Sequence, residues 1–325
     1  REAGLVNNGI TVDLGIAVGD VNNDGWPDVY VSNDLPGKDH LYLNQRDGSF
    51  RHVEDQALKH MPYASMGNDM ADFNNDGWLD IFTLDMASED NLRQKTSIKI
   101  MKSALYNALA GLGLHQQYMF NALQLNRGVN GPEQVPAFSE IAQLAGIPAT
   151  DWSWGPLVID LDNDGLRDLH IANGIYRDLI NLDYLIFKNR QFLAFSEGKI
   201  DADTYVSSVL EVMPLRTTPD CFYRNRGDLS FEKMNGIWVE DLPTCSNGSA
   251  YADLDNDGDM DLVISNVNDF AHVYRNNSER LNDNHYLKVK LEGSGKNTRG
   301  LGARVDVFCG EETFTLEAYP SRGYM

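Results

Sequence analysis

Asp160-Leu161-Asp162-Asn163-Asp164-Gly165-Leu166-Arg167-Asp168 is the stretch whose reading decides the fold, because it recurs. Asp20-Val21-Asn22-Asn23-Asp24-Gly25-Trp26-Pro27-Asp28 precedes it, as does Asp72-Phe73-Asn74-Asn75-Asp76-Gly77-Trp78-Leu79-Asp80. Asp253-Leu254-Asp255-Asn256-Asp257-Gly258-Asp259-Met260-Asp261 follows. All four read D-x-[DN]-x-D-G-x-x-D. Oxygen donors at positions 1, 3, 5 and 9 converge on one hard cation when the chain turns sharply at the glycine of position 6, and a main-chain carbonyl from position 7 completes the set.

The candidate ligands are therefore Asp20, Asn22, Asp24, Trp26 and Asp28; Asp72, Asn74, Asp76, Trp78 and Asp80; Asp160, Asp162, Asp164, Leu166 and Asp168; and Asp253, Asp255, Asp257, Asp259 and Asp261. Trp26, Trp78, Leu166 and Asp259 hold position 7. An all-oxygen set rich in carboxylates suits calcium, about four ions in all, and the lack of Cys or His in it argues against zinc. Asp, Asn and Gly also build ordinary acidic turns, but four copies at one spacing demand more than turn chemistry. An EF-hand needs a Glu at position 12 and helices on both sides. Position 12 here is Val31, Thr83, Ile171 and Ile264, and the flanks, such as Asp28-Val29-Tyr30-Val31 and Asp261-Leu262-Val263-Ile264, are β-branched runs that read as strands.

Each loop sits in a longer unit. One strand enters it (Gly15–Gly19), one leaves it (Val29–Ser32), a third carries an aromatic-x-Asn signature (Leu41-Tyr42-Leu43-Asn44), and a fourth follows Gly48. The second unit resumes at Gln124-Leu125-Asn126, which keeps the Asn, and the full signature returns as Phe222-Tyr223-Arg224-Asn225 and Val273-Tyr274-Arg275-Asn276, with no evident fourth strand in the last unit. Four strands per repeat predict an all-β chain of β-propeller blades, each a four-stranded antiparallel sheet. Four blades are the low end for a closed propeller. Ala3-Gly4-Leu5 also echoes Ala145-Gly146-Ile147, which follows a fourth strand, so the chain is expected to be a piece of a longer one.

The excess length of the second and third units falls at one topological place, after the second strand. In the second it spans about 87–117, where Ile98, Met101, Leu105 and Leu109 have helical spacing; in the third it spans about 175–219, with one helix around Leu182–Leu193 and another around Tyr205–Val212. Equivalent loops of successive blades emerge on one face, so the two insertions are expected to be neighbours and to form a helical cap. The repeats occupy 1–280. From 281 to 325 the pattern changes to alternating strands, Tyr286–Leu291, Ala303–Phe308 and Thr313–Glu317, read as the beginning of a C-terminal β domain.

Composition narrows the functions. The 325 residues carry a formal charge of −21 with 42% apolar residues, so a sizeable core is possible and the acidity does not signal disorder. A chain this acidic repels nucleic acid and anionic membrane surfaces, and no apolar run approaches the ~18 residues of a transmembrane segment. Three cysteines, Cys221, Cys245 and Cys309, cannot form a complete disulfide framework; Cys221 and Cys245 either pair or stay as buried thiols. Calcium modules of low affinity work where calcium is millimolar, which points to an extracellular or cell-surface setting.

The repeated loops with their aromatic-x-Asn strands resemble FG-GAP/VCBS repeats of integrin-type β-propellers. The tail, with Tyr286–Leu291 and Asn297-Thr298-Arg299-Gly300-Leu301-Gly302-Ala303-Arg304-Val305, is similar to the opening of a UnbV/ASPIC domain, and the pair resembles the cartilage acidic protein family. That resemblance implies calcium-stabilised blades, a secreted or surface protein, and an adhesion or ligand-interaction role toward a protein or carbohydrate partner. It carries over no catalytic residue. The rival reading is a carbohydrate-active enzyme, a propeller lyase or glycosidase of the cell envelope. It would draw on His40, His170, Tyr176, Arg177 and Asp178, with Trp152-Ser153-Trp154 as a sugar platform. Each has a plainer use, in the core, in a cap or in an ion pair, and no G-x-S-x-G, H-E-x-x-H or phosphate loop is present.

Overall fold

The computed structural model of the chain describes residues 3–6, 12–34, 37–97, 103–112 and 114–320. Every nine-residue acidic loop folds as the turn between two antiparallel strands. Val12–Gly19 and Asp28–Asp34 flank the first loop, with Gly19 opposite Asp28, and His40–Asn44 and Phe50–His52 complete that sheet in chain order. The second sheet holds Asn68–Ala71, Asp80–Thr83, Ala122–Asn130 and Val135–Glu140; the third holds Ser153–Ile159, Asp168–Asn173, Cys221–Asn225 and Phe231–Lys233. The fourth has three strands, Ser246–Ala252, Asp261–Asn266 and His272–Tyr274. The chain is thus mostly β and built of repeated antiparallel blades, as its periodicity predicts.

The first strands of successive blades lie against one another. Apolar residues fill each seam. Tyr30, Leu41, Leu43, Met70, Ile81 and Phe138 join the first two blades. Met66, Phe82, Leu123, Val158, Leu169 and Ile171 join the next pair, and Leu157, Ile159, Phe222, Leu262 and Ile264 the last. Because side chains alternate across a strand, Asp80–Thr83 of the second blade feeds both its seams: Ile81 goes one way and Phe82 the other. The approach is tight enough to select residues. Gly67 N–H donates to Trp154 O at 2.8 Å, and a Cβ on Gly67 would lie 2.4 Å from that oxygen.

At the end of the strands away from the acidic loops a second pattern recurs, unseen in the sequence. Asp39 accepts from Asn33 N–H in its own blade (2.9 Å) and from Ser65 Oγ–H in the next (2.9 Å). Asp220 does the same with Asn173 N–H (2.8 Å) and Ser246 Oγ–H (2.9 Å). In the second blade the residue types are exchanged: Asp85 N–H donates to Asn121 Oδ1 (2.9 Å), and Asn121 Nδ2–H donates to Thr150 Oγ1 (2.9 Å).

Both insertions leave from this end. Asn91–Thr96 and Ser103–Gly111 are helical in the first, with Leu105 and Leu109 in the latter helix; Ile98 and Met101 lie outside the described residues. The second forms Leu182–Ser196, capped by Asn181 Oδ1 on Tyr184 N–H at 3.0 Å, and Ala202–Val212, capped by Asp201 Oδ1 on Thr204 N–H at 2.7 Å. Phe195 stacks on Tyr205 between them, centroids 5.5 Å apart. The insertions meet at their roots. Arg93 grips Asp178 through two buried hydrogen bonds of 2.5 and 2.9 Å, and Ser97 bridges Asn181. The expected cap is joined there, while Ile186, Phe192 and Leu193 farther out stay exposed.

One sequence expectation changes. Tyr286–Leu291 lies outside any strand: with no partner strand among the described residues, alternation alone cannot build a ladder. Only Arg304–Cys309 and Glu312–Glu317 pair, as a hairpin. The question left open at the cysteines is settled: Cys221 and Cys245 are buried free thiols and Cys309 is an exposed one.

Candidate metal centres

The first three acidic loops are superimposable in their bonding. The position 1 carboxylate accepts the amides of positions 5 and 6: Asp24 and Gly25 on Asp20 at 2.9 and 2.7 Å, Asp76 and Gly77 on Asp72 at 3.1 and 2.8 Å, Asp164 and Gly165 on Asp160 at 3.1 and 2.9 Å. Position 5 then accepts the amide of position 7 (Trp26, Trp78, Leu166), at 2.9 Å each time. Asn23, Asn75, Asn163 and Asn256 at position 4 sit at φ 53 to 63°, the left-handed conformation that asparagine tolerates.

Position 9 is the keystone. Asp28, Asp80, Asp168 and Asp261 are buried, and each accepts two amides. One comes from position 2 of the loop, at 3.2, 3.0, 2.9 and 2.9 Å. The other comes from the asparagine of the aromatic-x-Asn signature, Asn44, Asn126, Asn225 or Asn276, at 2.9, 2.7, 2.9 and 2.8 Å. That asparagine also reaches into the preceding blade. The Asn126 side-chain amide donates to Val21 O (2.8 Å), Asn225 to Phe73 O (2.8 Å) and Asn276 to Leu161 O (2.7 Å). The sequence displays the signature without its purpose, because the asparagine follows position 9 by 16 residues in the first blade but by 46 in the second and 57 in the third.

Do these residues fit a cation? Four loop oxygens are buried with no hydrogen-bond partner: Asn74 Oδ1 and Asp162 Oδ1 at position 3, Asp253 Oδ1 at position 1 and Asp259 Oδ1 at position 7. Orphaned acceptors at these places are costly in a metal-free loop and natural in an occupied one. Charge points the same way. Burial pushes the Asp28 and Asp168 carboxyls up to about 8 and Asp160 to about 6, and raises Asp20, Asp72 and Asp80. Carboxylates packed this way need a compensating positive charge to stay ionised. Carboxylate oxygens of Asp160, Asp162 and Asp168 lie within 4.8 Å of one another, as do those of Asp253, Asp255 and Asp257. The donor set is wholly oxygen, as calcium requires.

Basic residues that the sequence reading passed over lean on the loops. Arg46 Nη2 lies 3.0 Å from Asp24 Oδ2; Arg224 meets Asp162 (2.8 Å) and Asp164 (3.1 Å); Arg275 meets Asp255 (2.6 Å) and Asp257 (2.7 Å); Lys288 meets Asp253 at 3.1 Å. The fourth loop stands apart. Its position 7 is the buried Asp259 rather than Trp or Leu, and position 5 accepts the position 7 amide at only 3.4 Å.

The C-terminal segment lies on the same side. Glu317 Oε2 accepts Asp20 N–H (3.0 Å), Arg304 donates to Gly77 O (3.1 Å), and Asn282 and Asn284 donate to Asp162 O (2.8 and 3.0 Å). Tyr286 packs on Gly258, where a Cβ would come within 1.8 Å of Cε1. Glycine at position 6 therefore serves both a φ of 99° and the segment laid over it.

The other candidates are dispersed. His170 is buried against Phe222, with ring centroids 4.8 Å apart. Arg177 donates to Met213 O (3.1 Å) with its guanidinium over Tyr176, and Asp178 is held by Arg93. Trp152 and Trp154 pack into the seam between the second and third blades instead of forming an open platform. At the insertion end a cavity of about 520 Å³ opens among Asp151, Asn173, Arg216, Thr218, Asp220 and Lys233.

Residues 20–83 match the FG-GAP-like repeat family. The match runs from position 1 of the first loop to position 12 of the second, so its unit is the loop, the rest of that blade and the next loop. No curated protein matches the chain. No described helix is long and apolar enough to cross a membrane.

Proposed function

We propose that this chain is a calcium-braced FG-GAP repeat module that works outside the cell or at its surface, as a binding rather than a catalytic protein. The observation that carries the calcium reading is the set of orphaned loop oxygens, Asn74 Oδ1, Asp162 Oδ1, Asp253 Oδ1 and Asp259 Oδ1. The remaining ligands are the side chains at positions 1, 3, 5 and 9 and the position 7 carbonyls of Trp26, Trp78 and Leu166. Calcium supplies the positive charge that the buried carboxylates lack. The chain supplies a rigid frame in which position 1 is oriented by two amides and position 9 by two more.

Binding partners, protein or carbohydrate, meet the insertion end on this reading, because the other end is covered by residues 281–320. Those residues are proposed to open a UnbV/ASPIC-like domain, in the manner of the cartilage acidic proteins. The absence of catalysis rests on the placement of the candidates: His170 is enclosed and Asp178 is neutralised by Arg93.

Calcium titration followed by calorimetry, with a melting curve in chelator alongside, tests the proposal. Several ions per chain and a higher midpoint in calcium are expected. An unchanged midpoint would overturn it.

A further inference from the structure

Away from the acidic loops, the outer half of the first blade brings together three residues of different chemistry. His40 and His52 share one face of the sheet: Tyr42 stands directly opposite His52, and His40 is two residues before Tyr42 on the same strand. Glu54 follows His52 by two residues at the start of the short helix Glu54–Ala57. One ligand atom from each of the three lies within 4.8 Å of the others.

The spacing is that of a ligand shell. His40 Nδ1 is 3.1 Å and His52 Nδ1 3.8 Å from Glu54 Oε1. A tetrahedral ion with bonds of about 2.0–2.1 Å sets its ligand atoms about 3.4 Å apart, between the two observed values. The carboxylate is buried, with only 2% of its side chain exposed, and its second oxygen, Oε2, has no hydrogen-bond partner. A buried carboxylate with one oxygen against His40 and near His52 and the other oxygen unpartnered is a place for a cation. His40 is buried while the His52 side chain is 42% exposed, so the group opens to solvent on the His52 side.

We propose that His40, His52 and Glu54 form a binding site for a borderline divalent transition metal, zinc above all, separate from the oxygen-only loops. Two imidazoles and one carboxylate are the donor set such ions select, and hard calcium does not. Lys38 is the resident competitor: its Nζ lies 3.2 Å from Glu54 Oε1 and 2.5 Å from Asp55 Oδ2. Metal entry leaves Lys38 paired with Asp55 alone. The bound ion would tie the third and fourth strands of the blade to the connection that leads into the second.

The test is a zinc titration of the whole chain in excess calcium, read by competition with a chromophoric chelator and repeated with cobalt for its visible absorption. One zinc ion per chain is expected, together with a cobalt spectrum of low coordination number. His52→Ala removes a half-exposed ligand with little risk to folding and should weaken zinc binding by roughly 10- to 100-fold or more. Glu54→Gln should do the same. Lys38→Met should bind zinc more tightly, which a plain Lys–Glu–His ion cluster would not do. Asp24→Ala in the first acidic loop should leave zinc binding unchanged. Zinc binding that is absent, or equal in wild type and His52→Ala, would overturn the proposal.

Discussion

The two ends of the blades are held by different physics. At the loop end each blade gathers buried carboxylates, and in the second, third and fourth loops some oxygens have nothing to bond. At the insertion end the buried carboxylates are bonded within the chain. Asp39 and Asp220 are shared between neighbouring blades, and Arg93 neutralises Asp178. On the calcium reading the first end calls for an ion, whereas the second holds its carboxylates with groups of its own. One architecture can therefore place its ion dependence and its tolerance of insertions on opposite faces.

The largest effect should come from stripping ions. A site filled at 10 to 100 times its dissociation constant adds about 1.4 to 2.7 kcal/mol, and four such sites act together. Differential scanning calorimetry with and without chelator should show a drop of many degrees. Hydrogen exchange should locate the loosening at residues 20–28, 72–80, 160–168 and 253–261 and leave the insertion end protected. Uniform loosening at both ends would erase the contrast.

Next in size is the insertion end's own anchor. Arg93→Met strands the buried Asp178 and should cost about 3–5 kcal/mol. The joint change of Arg93→Met with Asp178→Leu should recover most of it. The loss should be equal in calcium and in chelator, to within about 0.5 kcal/mol, because the two ends share no partners. Denaturant melts of the single and double variants give the numbers.

Asn225→Ala tests the stitch between loops. It removes side-chain bonds to Phe73 O (2.8 Å) and Arg167 O (3.2 Å), at a cost of roughly 1–3 kcal/mol. Here the loss should depend on calcium, in contrast to Arg93→Met.

The smallest effect is a pH slope. Burial raises Asp39 to about 6, with hydrogen bonds from Tyr30, Asn33 and Ser65 holding it lower than burial alone would. A raised carboxyl pKa means that the folded state binds the proton more tightly. This group's contribution is thus fully present below the unfolded value near 4, and it is lost as pH rises toward about 6. Asp39→Asn should abolish that part of the slope. The melting-point difference between wild type and variant should therefore favour wild type more at pH 4.5 than at pH 7, and a constant difference would contradict it.

Much of the loop end was legible because its constraint is local. Nine residues must bring oxygens together, so spacing alone names Asp20 through Asp28 and the three later copies. The strand pattern around them was legible for a similar reason: adjacent apolar residues such as Ile81-Phe82 report a strand covered on both faces. The insertion end was opaque because its partners are far apart in the chain. Nothing in Asp39 announces Ser65, and nothing in Arg93 announces Asp178, 85 positions away. Tyr286–Leu291 misled for a related reason. Alternation records which side chains are apolar, whereas a strand also needs a neighbour, and these residues face the fourth loop instead: Tyr286 covers Gly258 and Lys288 reaches Asp253.

The position 4 asparagines have a consequence of another kind. Asn23 donates to Gly77 O at 3.1 Å and Asn75 to Gly165 O at 3.2 Å, so the first loop holds the turn of the second and the second that of the third. A loop arranged this way cannot relax alone, since its motion pulls on the main chain of its neighbour. On the calcium reading, occupancy of one of these three sites would lower the ordering cost of the adjacent one and steepen the filling curve beyond that of independent sites. The row of turns would answer a change in external calcium over a narrower range of concentration than any single loop could.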